Sequence, residues 1–220
     1  MTEEEGKGLY LSSAHFSQAH YLERTVVHEI IISGVGGQGI MVIGNLLAHA
    51  AFIETQNVTY LPIYGVEKRG GQADCYVVIS SEEIGSPVIG LPQSCIIMSR
   101  SSLDKYVSKI KLGGLLLLNS SFVEPREVAR NDLTILAVPA MKIAKNLGNG
   151  RLGNMVVMGA FVEKTKIVSL DALISALSQT FEEQYHHLLP ANAEAIRRGA
   201  EYARTLAQES EGGSPRGGKR

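Results

Sequence analysis

His28-Glu-Ile-Ile-Ile-Ser-Gly-Val-Gly-Gly-Gln-Gly39 carries a short apolar strand straight into a cluster of glycines. From Ile40 to Ile53 the chain then stays mostly apolar, and Gly44 is its only breaker. Strand, glycine turn and helix in that order make a βα unit suited to an anion, because helix N-terminal amides point outward and glycine lets a ligand approach the backbone. The chemistry is therefore expected at one end of a parallel sheet.

Outward from this unit the pattern keeps alternating. Strands are expected at 28–33, 57–61, 73–80, 95–99, 115–119 and 134–138, and helices at 38–54, 101–110, 140–147, 152–163, 170–178 and 191–208. Continuous apolar runs such as Leu115 to Leu118 suit strands covered on both faces. Ser101 and Asp104 resemble a capping box for the second helix, and Gly113-Gly114 ends that segment. The last helix repeats Ile196, Ala200, Ala203 and Ala207, a narrow docking stripe. Two stretches interrupt the alternation: 62–71 joins two strands without a helix, and 82–87 reads as a turn. The fold class is therefore α/β, an open, mostly parallel sheet of about six strands with helices on both faces and one hairpin-like segment.

The bulk properties bound the rest. The 220 residues suit one core domain at 27–209, with an irregular extension at 1–26 and a glycine-rich, disordered tail at 210–220. A formal net charge of −1 gives no electrostatic reason to expect nucleic acid. No uncharged apolar run reaches the roughly 18 residues a membrane span needs. The acidic start Glu3-Glu4-Glu5 has the wrong sign for a secretory leader, so a cytoplasmic location is expected. Cys75 and Cys95 lie in apolar strand-like runs and read as buried thiols. Two cysteines are too few for the usual iron–sulfur ligand set, and the six histidines show no metal spacing.

Gly34, Gly36 and Gly39 satisfy G-x-G-x-x-G, with Gly37 and Gln38 between them. A dinucleotide site also wants a carboxylate about 20 residues on, for the ribose diol. Thr59-Tyr60-Leu61-Pro62 supplies none, which argues against NAD. At about 100° per residue, Gln38, Asn45, His49 and Gln56 fall on one line of an otherwise apolar helix. A helix apolar nearly all round is expected to be buried nearly all round. Its polar line is then either satisfied within the core or, at Gln38, part of an interface.

The second glycine loop is Tyr64-Gly65-Val66-Glu67-Lys68-Arg69-Gly70-Gly71. It follows the second strand, so it is expected over the same sheet end. Arg69 would present a planar fork to a carboxylate or phosphate, with Glu67 orienting it. A merely solvated loop is the competing reading. Asn119-Ser120-Ser121 and Ser99-Arg100-Ser101 would add polar groups along the same rim. No Ser–His–Asp or Cys–His arrangement is legible, and no complete catalytic set follows from this chain.

With both loops read, Gly34–Gly39, Tyr64–Gly71 and Glu83-Ile84-Gly85-Ser86-Pro87 resemble the gamma subunit of 2-oxoacid:ferredoxin oxidoreductases over roughly residues 28 to 206. Thr59-Tyr60-Leu61-Pro62 looks most like the 2-oxoglutarate branch, with the 2-oxoisovalerate and pyruvate types behind it; Val66 stands where the family usually has proline. The resemblance implies oxidative decarboxylation of a 2-oxoacid to its acyl-CoA with reduction of ferredoxin. Thiamine diphosphate, Mg²⁺ and 4Fe–4S clusters would be held by companion alpha and beta chains, a delta chain being left open. This chain would shape the active-site and coenzyme A side, inactive alone and with no catalytic residue or metal ligand of its own. Its expected cofactor-side or interface residues are Gly34, Gly36, Gly37, Gln38, Gly39, Tyr64, Gly65, Glu67, Arg69, Gly70, Gly71 and Asn119. The alternatives are a stand-alone nucleotide- or CoA-binding domain and an indolepyruvate-type subunit.

Overall fold

The computed structural model describes residues 27–64 and 70–212. Six strands form one sheet: β1 (Val27–Val35), β2 (Asn57–Tyr64), β3 (Gln72–Ser80), β4 (Ser94–Ile97), β5 (Leu115–Asn119) and β6 (Thr134–Val138). Their spatial order is β2-β3-β1-β4-β5-β6. The β1–β4, β4–β5 and β5–β6 pairs are parallel, whereas β3 runs antiparallel to both β1 and β2. The β2–β3 hairpin is the expected irregularity. It inserts β3 between β1 and β2, so five strands finish at one edge of the sheet and β3 begins there.

Strands β1, β3, β4 and β5 follow a period of two with both faces covered, whereas every residue of β2 is half-buried or exposed. Ile30, Ile32, Cys75, Val77, Ile96 and Leu117 point to one core, and Ile31, Val78, Cys95, Ile97 and Leu116 to the other. The helices divide unequally. Helices α1 (Ile40–Ile53), α3 (Ala140–Asn146), α4 (Gly153–Thr165), α5 (Leu170–Ser175), α6 (Leu177–Thr180) and α7 (Leu189–Gly212) cover the first face. The second face carries α2 (Arg100–Tyr106) with Ile89, Ile110 and Val123. Helix α4 is buried without a break from Met155 to Val162, because α7 covers the side turned away from the sheet.

Several boundaries move for local reasons. Helix α1 starts at Ile40 because Gly39 takes a left-handed φ of 73°, so Gln38 belongs to the turn. Strand β4 stops at Ile97, and Ser99 rather than Ser101 caps α2, its Oγ accepting from Ser102 N at 3.3 Å. The expected helix 170–178 is split at Ala176 into α5 and α6. Helix α1 is also less enclosed than its composition implied: Phe52 is 70 % exposed, and Asn45 and His49 are half-buried. Gln56 lies beyond the helix and donates to Ile167 O at 3.0 Å. Helix α7 continues to Gly212, two residues past the start of the expected tail at 210; the rest of the tail, the extension 1–26 and the loop residues 65–69 lie outside the described residues. Among the described residues no helix is long and apolar enough to cross a membrane.

Candidate functional site

From β1 the chain crosses by α1 to β2 on one side, and β4, β5 and β6 follow on the other. The crossovers therefore diverge between β1 and β4, and in open α/β sheets the crevice outside the strand ends at such a point is where ligands bind. The glycine turn sits there. Gln38 N donates to Val35 O at 3.2 Å, Gln38 Oε1 accepts from Val35 N at 2.9 Å, and Gln38 Nε2 donates to Met98 O at 3.0 Å. Gln38 thus ties the end of β1 to the end of β4, and it also lines the cleft described below.

Three of the glycines have separate reasons. A Cβ on Gly34 would lie 2.4 Å from Gln38 Oε1 and 2.9 Å from Met98 Cβ, so a side chain there would force strand and turn apart. Gly37 has φ 91° and open space above it. Gly39 has φ 73°, and a Cβ there would meet Asn154 Nδ2 at 2.3 Å. The first bond within α1 is Ile43 N to Gly39 O, and no acidic side chain lies in its first turn. The turn that opens α1 therefore lines the cleft with no carboxylate in the helix's first turn to compete for its N-terminal end.

The second glycine loop meets the first. Gly36 N donates to Gly71 O at 2.8 Å, and Val35 pairs in register with Gln72. Tyr64, 70 % exposed, ends β2, and Gly70 is exposed with φ 67°. Gly65, Glu67 and Arg69 lie outside the described residues. Asn119 ends β5 but is fully buried, so it does not reach the rim. Its Oδ1 accepts from Ser121 N at 3.2 Å, and Ser121 Oγ accepts from Met141 N at 3.1 Å. Asn119 therefore supports the turn carrying Phe122 from beneath; its Nδ2 has no partner among the described residues.

These elements enclose a cleft of about 650 Å³, walled by Gly37–Gly39, Met98, Phe122, Met141, Arg151 and Asn154. An adjoining hollow of about 460 Å³ shares Phe122 and Met141 and is rimmed by Lys142 and Lys145. Arg151 is exposed and makes no ion pair among the described residues. A wall of methionines and a phenylalanine with the Arg151 guanidinium and a glycine turn at a helix start suits a long ligand with an apolar stretch and anionic groups.

Sequence reasoning missed Arg151, Asn154 and a buried carboxylate, Asp74. Gly148-Asn149-Gly150-Arg151 is a turn signal at a strand-proximal helix junction, so the arginine was legible as a loop cation. Asp74 was visible as a lone charge inside Ala73-Asp74-Cys75-Tyr76-Val77, a run that otherwise reads as core. It accepts from Ser33 Oγ at 2.5 Å, Gln72 Nε2 at 3.1 Å, Lys105 Nζ at 2.6 Å and Tyr106 Oη at 2.8 Å. Burial pushes its carboxyl up, but the donors, Lys105 foremost, more than offset that and hold it below the usual carboxylate range. The two thiols are the opposite case: burial pushes both Cys75 and Cys95 up, toward the protonated form.

Fold and cleft together define an open α/β domain with a cleft at its switch point. The chain belongs to the pyruvate ferredoxin/flavodoxin oxidoreductase family, whose model matches residues 29–202. It is 33 % identical over 175 residues to the ketoisovalerate oxidoreductase subunit VorA of Methanothermobacter marburgensis, covering 79 % of this chain and 36 % of that one. The chain thus spans about a third of that relative's length. The keto/oxoacid ferredoxin oxidoreductase gamma subunit of Geobacter sulfurreducens superposes with a TM-score of 0.68 at 28 % identity, over 81 % of this chain and 99 % of that one. The 2-oxoglutarate:ferredoxin oxidoreductase of Magnetococcus marinus, solved with 2-oxoglutarate, coenzyme A and succinyl-CoA bound, superposes with a TM-score of 0.74 at 25 % identity. That match covers 81 % of this chain and 31 % of that one. The gamma-subunit resemblance read from the two glycine loops therefore holds.

Proposed function

We propose that this chain is the gamma-type subunit of a 2-oxoacid:ferredoxin oxidoreductase, that residues 27–209 form its working domain, and that its switch-point cleft takes coenzyme A. The observation that carries the reading is the cleft itself: glycine amides at one wall, Arg151 at another, and an apolar strip of Met98, Phe122 and Met141 between them. Coenzyme A has the matching chemistry, an anionic nucleotide end and a long pantetheine arm, and its thiol is the acyl acceptor in the reaction. Gly37 leaves room at the turn, Gly39 makes way for Asn154, Arg151 would pair with a phosphate, and Asn154 would hold the mouth of α4 against α1. The loop Tyr64–Gly71, with Glu67 and Arg69, would face companion chains.

Thiamine diphosphate, its Mg²⁺ and iron–sulfur clusters are assigned to companion chains. Among the described residues no three His, Cys, Asp or Glu side chains gather to hold a metal ion, and both cysteines are buried singly. On this reading those groups, the electron transfer to ferredoxin and the decarboxylation itself belong to alpha and beta companions, and the whole assembly works in the cytoplasm. The favoured 2-oxoacid is 2-oxoglutarate, on the Thr59–Pro62 approach to the second loop.

Reconstitution with the companion chains tests the proposal. Oxidation should require both the 2-oxoacid and coenzyme A, with 2-oxoglutarate giving a higher kcat/KM than 2-oxoisovalerate or pyruvate. Arg151→Ala should raise KM for coenzyme A by roughly tenfold, the equivalent of one charge-assisted contact, and leave kcat at saturation unchanged. An unchanged KM removes coenzyme A from this cleft. Full 2-oxoacid oxidation by the isolated chain overturns the subunit role.

A further inference from the structure

Asp74 is bonded to the residues that flank Gly34 and Gly71, and it takes no part in the cleft wall. It is 1 % exposed and sits on the sheet face crossed by α2. Its Oδ1 receives Ser33, the residue before Gly34, and Gln72, the residue after Gly71. Gln72 Nε2 also donates to Ser33 Oγ at 2.9 Å and Ser102 Oγ at 3.1 Å. Ser33 O in turn accepts from Met98 N at 2.8 Å. The three backbone segments at the cleft's base therefore all lead to one carboxylate.

We propose that Asp74 is a positioning residue: through Ser33 and Gln72 it sets the spacing of the two glycine loops, and so the affinity of the cleft for its anionic ligand. The proposal rests on the reading of that cleft as the coenzyme A site. A buried ion pair is weak support for stability, since well-packed apolar groups serve as well or better, but it does specify geometry. Here the specified geometry is the Gly36–Gly71 junction. The groups facing the carboxylate are Lys105, Tyr106 and Ser102 on α2, Ser33 on β1 and Gln72 on β3. Tyr76 and Lys109 lie beside Tyr106, and Cys75 follows Asp74 in the chain. Among the described residues Lys105 is the one cation in direct contact, and its side chain is 43 % exposed and outside the cleft lining.

Lys105→Met separates positioning from mere packing. Burial raises the Asp74 carboxyl, and Lys105 is the leading influence that lowers it. A depressed carboxyl holds its ionised network above its folded pKa and loses it as pH falls through that value. Without Lys105 the loss moves to higher pH. Amide hydrogen exchange on the full chain should show protection at 34–39 and 70–72 falling about tenfold toward mildly acidic pH in the variant while the wild type holds. In the assembled complex, KM for coenzyme A should rise over the same pH range with kcat unchanged. Ser33→Ala, which removes one donor without removing charge, should loosen 34–39 at every pH. Loop protection in Lys105→Met that follows the wild type across pH overturns the positioning role. Loss of protection with an unmoved KM for coenzyme A keeps the positioning of the loops and instead overturns coenzyme A as the cleft's ligand.

Discussion

Helices α4 and α7 cross so closely that glycine is required on both sides of the seam. At their crossing, a Cβ built on Gly159 would stand 1.9 Å from Ile196 O, and one on Gly199 would stand 1.9 Å from Val156 O. Both obstacles are backbone carbonyls, so no rotamer change relieves them. Reaching the 3.4 Å of ordinary contact requires the helices to separate by about 1.5 Å. A gap of that size forfeits much of the dispersion of the seam, which includes the fully buried Val156, Ala160 and Ile196. Overpacking that side chains can absorb costs about 1–3 kcal/mol, and a backbone clash lies at or above that upper end. Helix propensity returns about 1 kcal/mol when glycine becomes alanine. The net expectation for Gly159→Ala is a loss of roughly 2–4 kcal/mol, or a fall in Tm of about 5–15 °C for a chain of this size. Urea unfolding of the full chain measures it, with an unchanged m-value as the check that the unfolded state is the same. Gly199→Ala should behave alike, and the double variant should cost little more than either, since one displacement relieves both clashes. Gly85→Ala, where a Cβ meets nothing within 4 Å, is the neutral control. A Gly159→Ala protein within about 0.5 kcal/mol of wild type would refute the close crossing.

Two further outcomes follow from buried titratable groups. Burial, with Lys111 adding to it, lowers the pKa of His28, whose Nε2 bonds Ser94 Oγ at 2.8 Å. The unfolded chain then takes up this proton first, so stability should fall as pH drops below about 6.5, by at most about 1.4 kcal/mol per pH unit for one proton. His28→Gln should flatten that slope in pH-resolved urea titrations, and an identical slope would remove His28 as its source. Because burial raises both thiols, Cys75 and Cys95 should react with a disulfide reagent only as fast as the chain opens. Rapid modification of the native chain would contradict their placement.

Strands β1, β4 and β5 were legible because each carries a run of apolar residues whose two faces are both covered, and such runs signal themselves without neighbours. The glycine turn was legible because a left-handed Gly39 before an apolar helix is a local requirement. Helix edges moved where a cap or a left-handed residue overrode propensity, as at Ser99 and Gly39. Asp74 was readable as an anomaly, but its meaning needed Ser33 from 41 residues upstream and Lys105 from 31 residues downstream. The same holds for the cleft, whose glycine wall and Arg151 belong to segments more than 100 residues apart.

By itself the sequence determined the α/β class, the glycine turn at the end of β1 and the family resemblance, since local pattern and short motifs carry all three. Only the tertiary structure decided that β3 slips between β1 and β2, that Gly36 meets Gly71, that Asn119 supports the rim from below, and that Arg151 and the glycine turn line one cleft. The physical reason is that those facts are pairings between distant segments. They are settled by which surfaces bury together, and no local propensity encodes that choice.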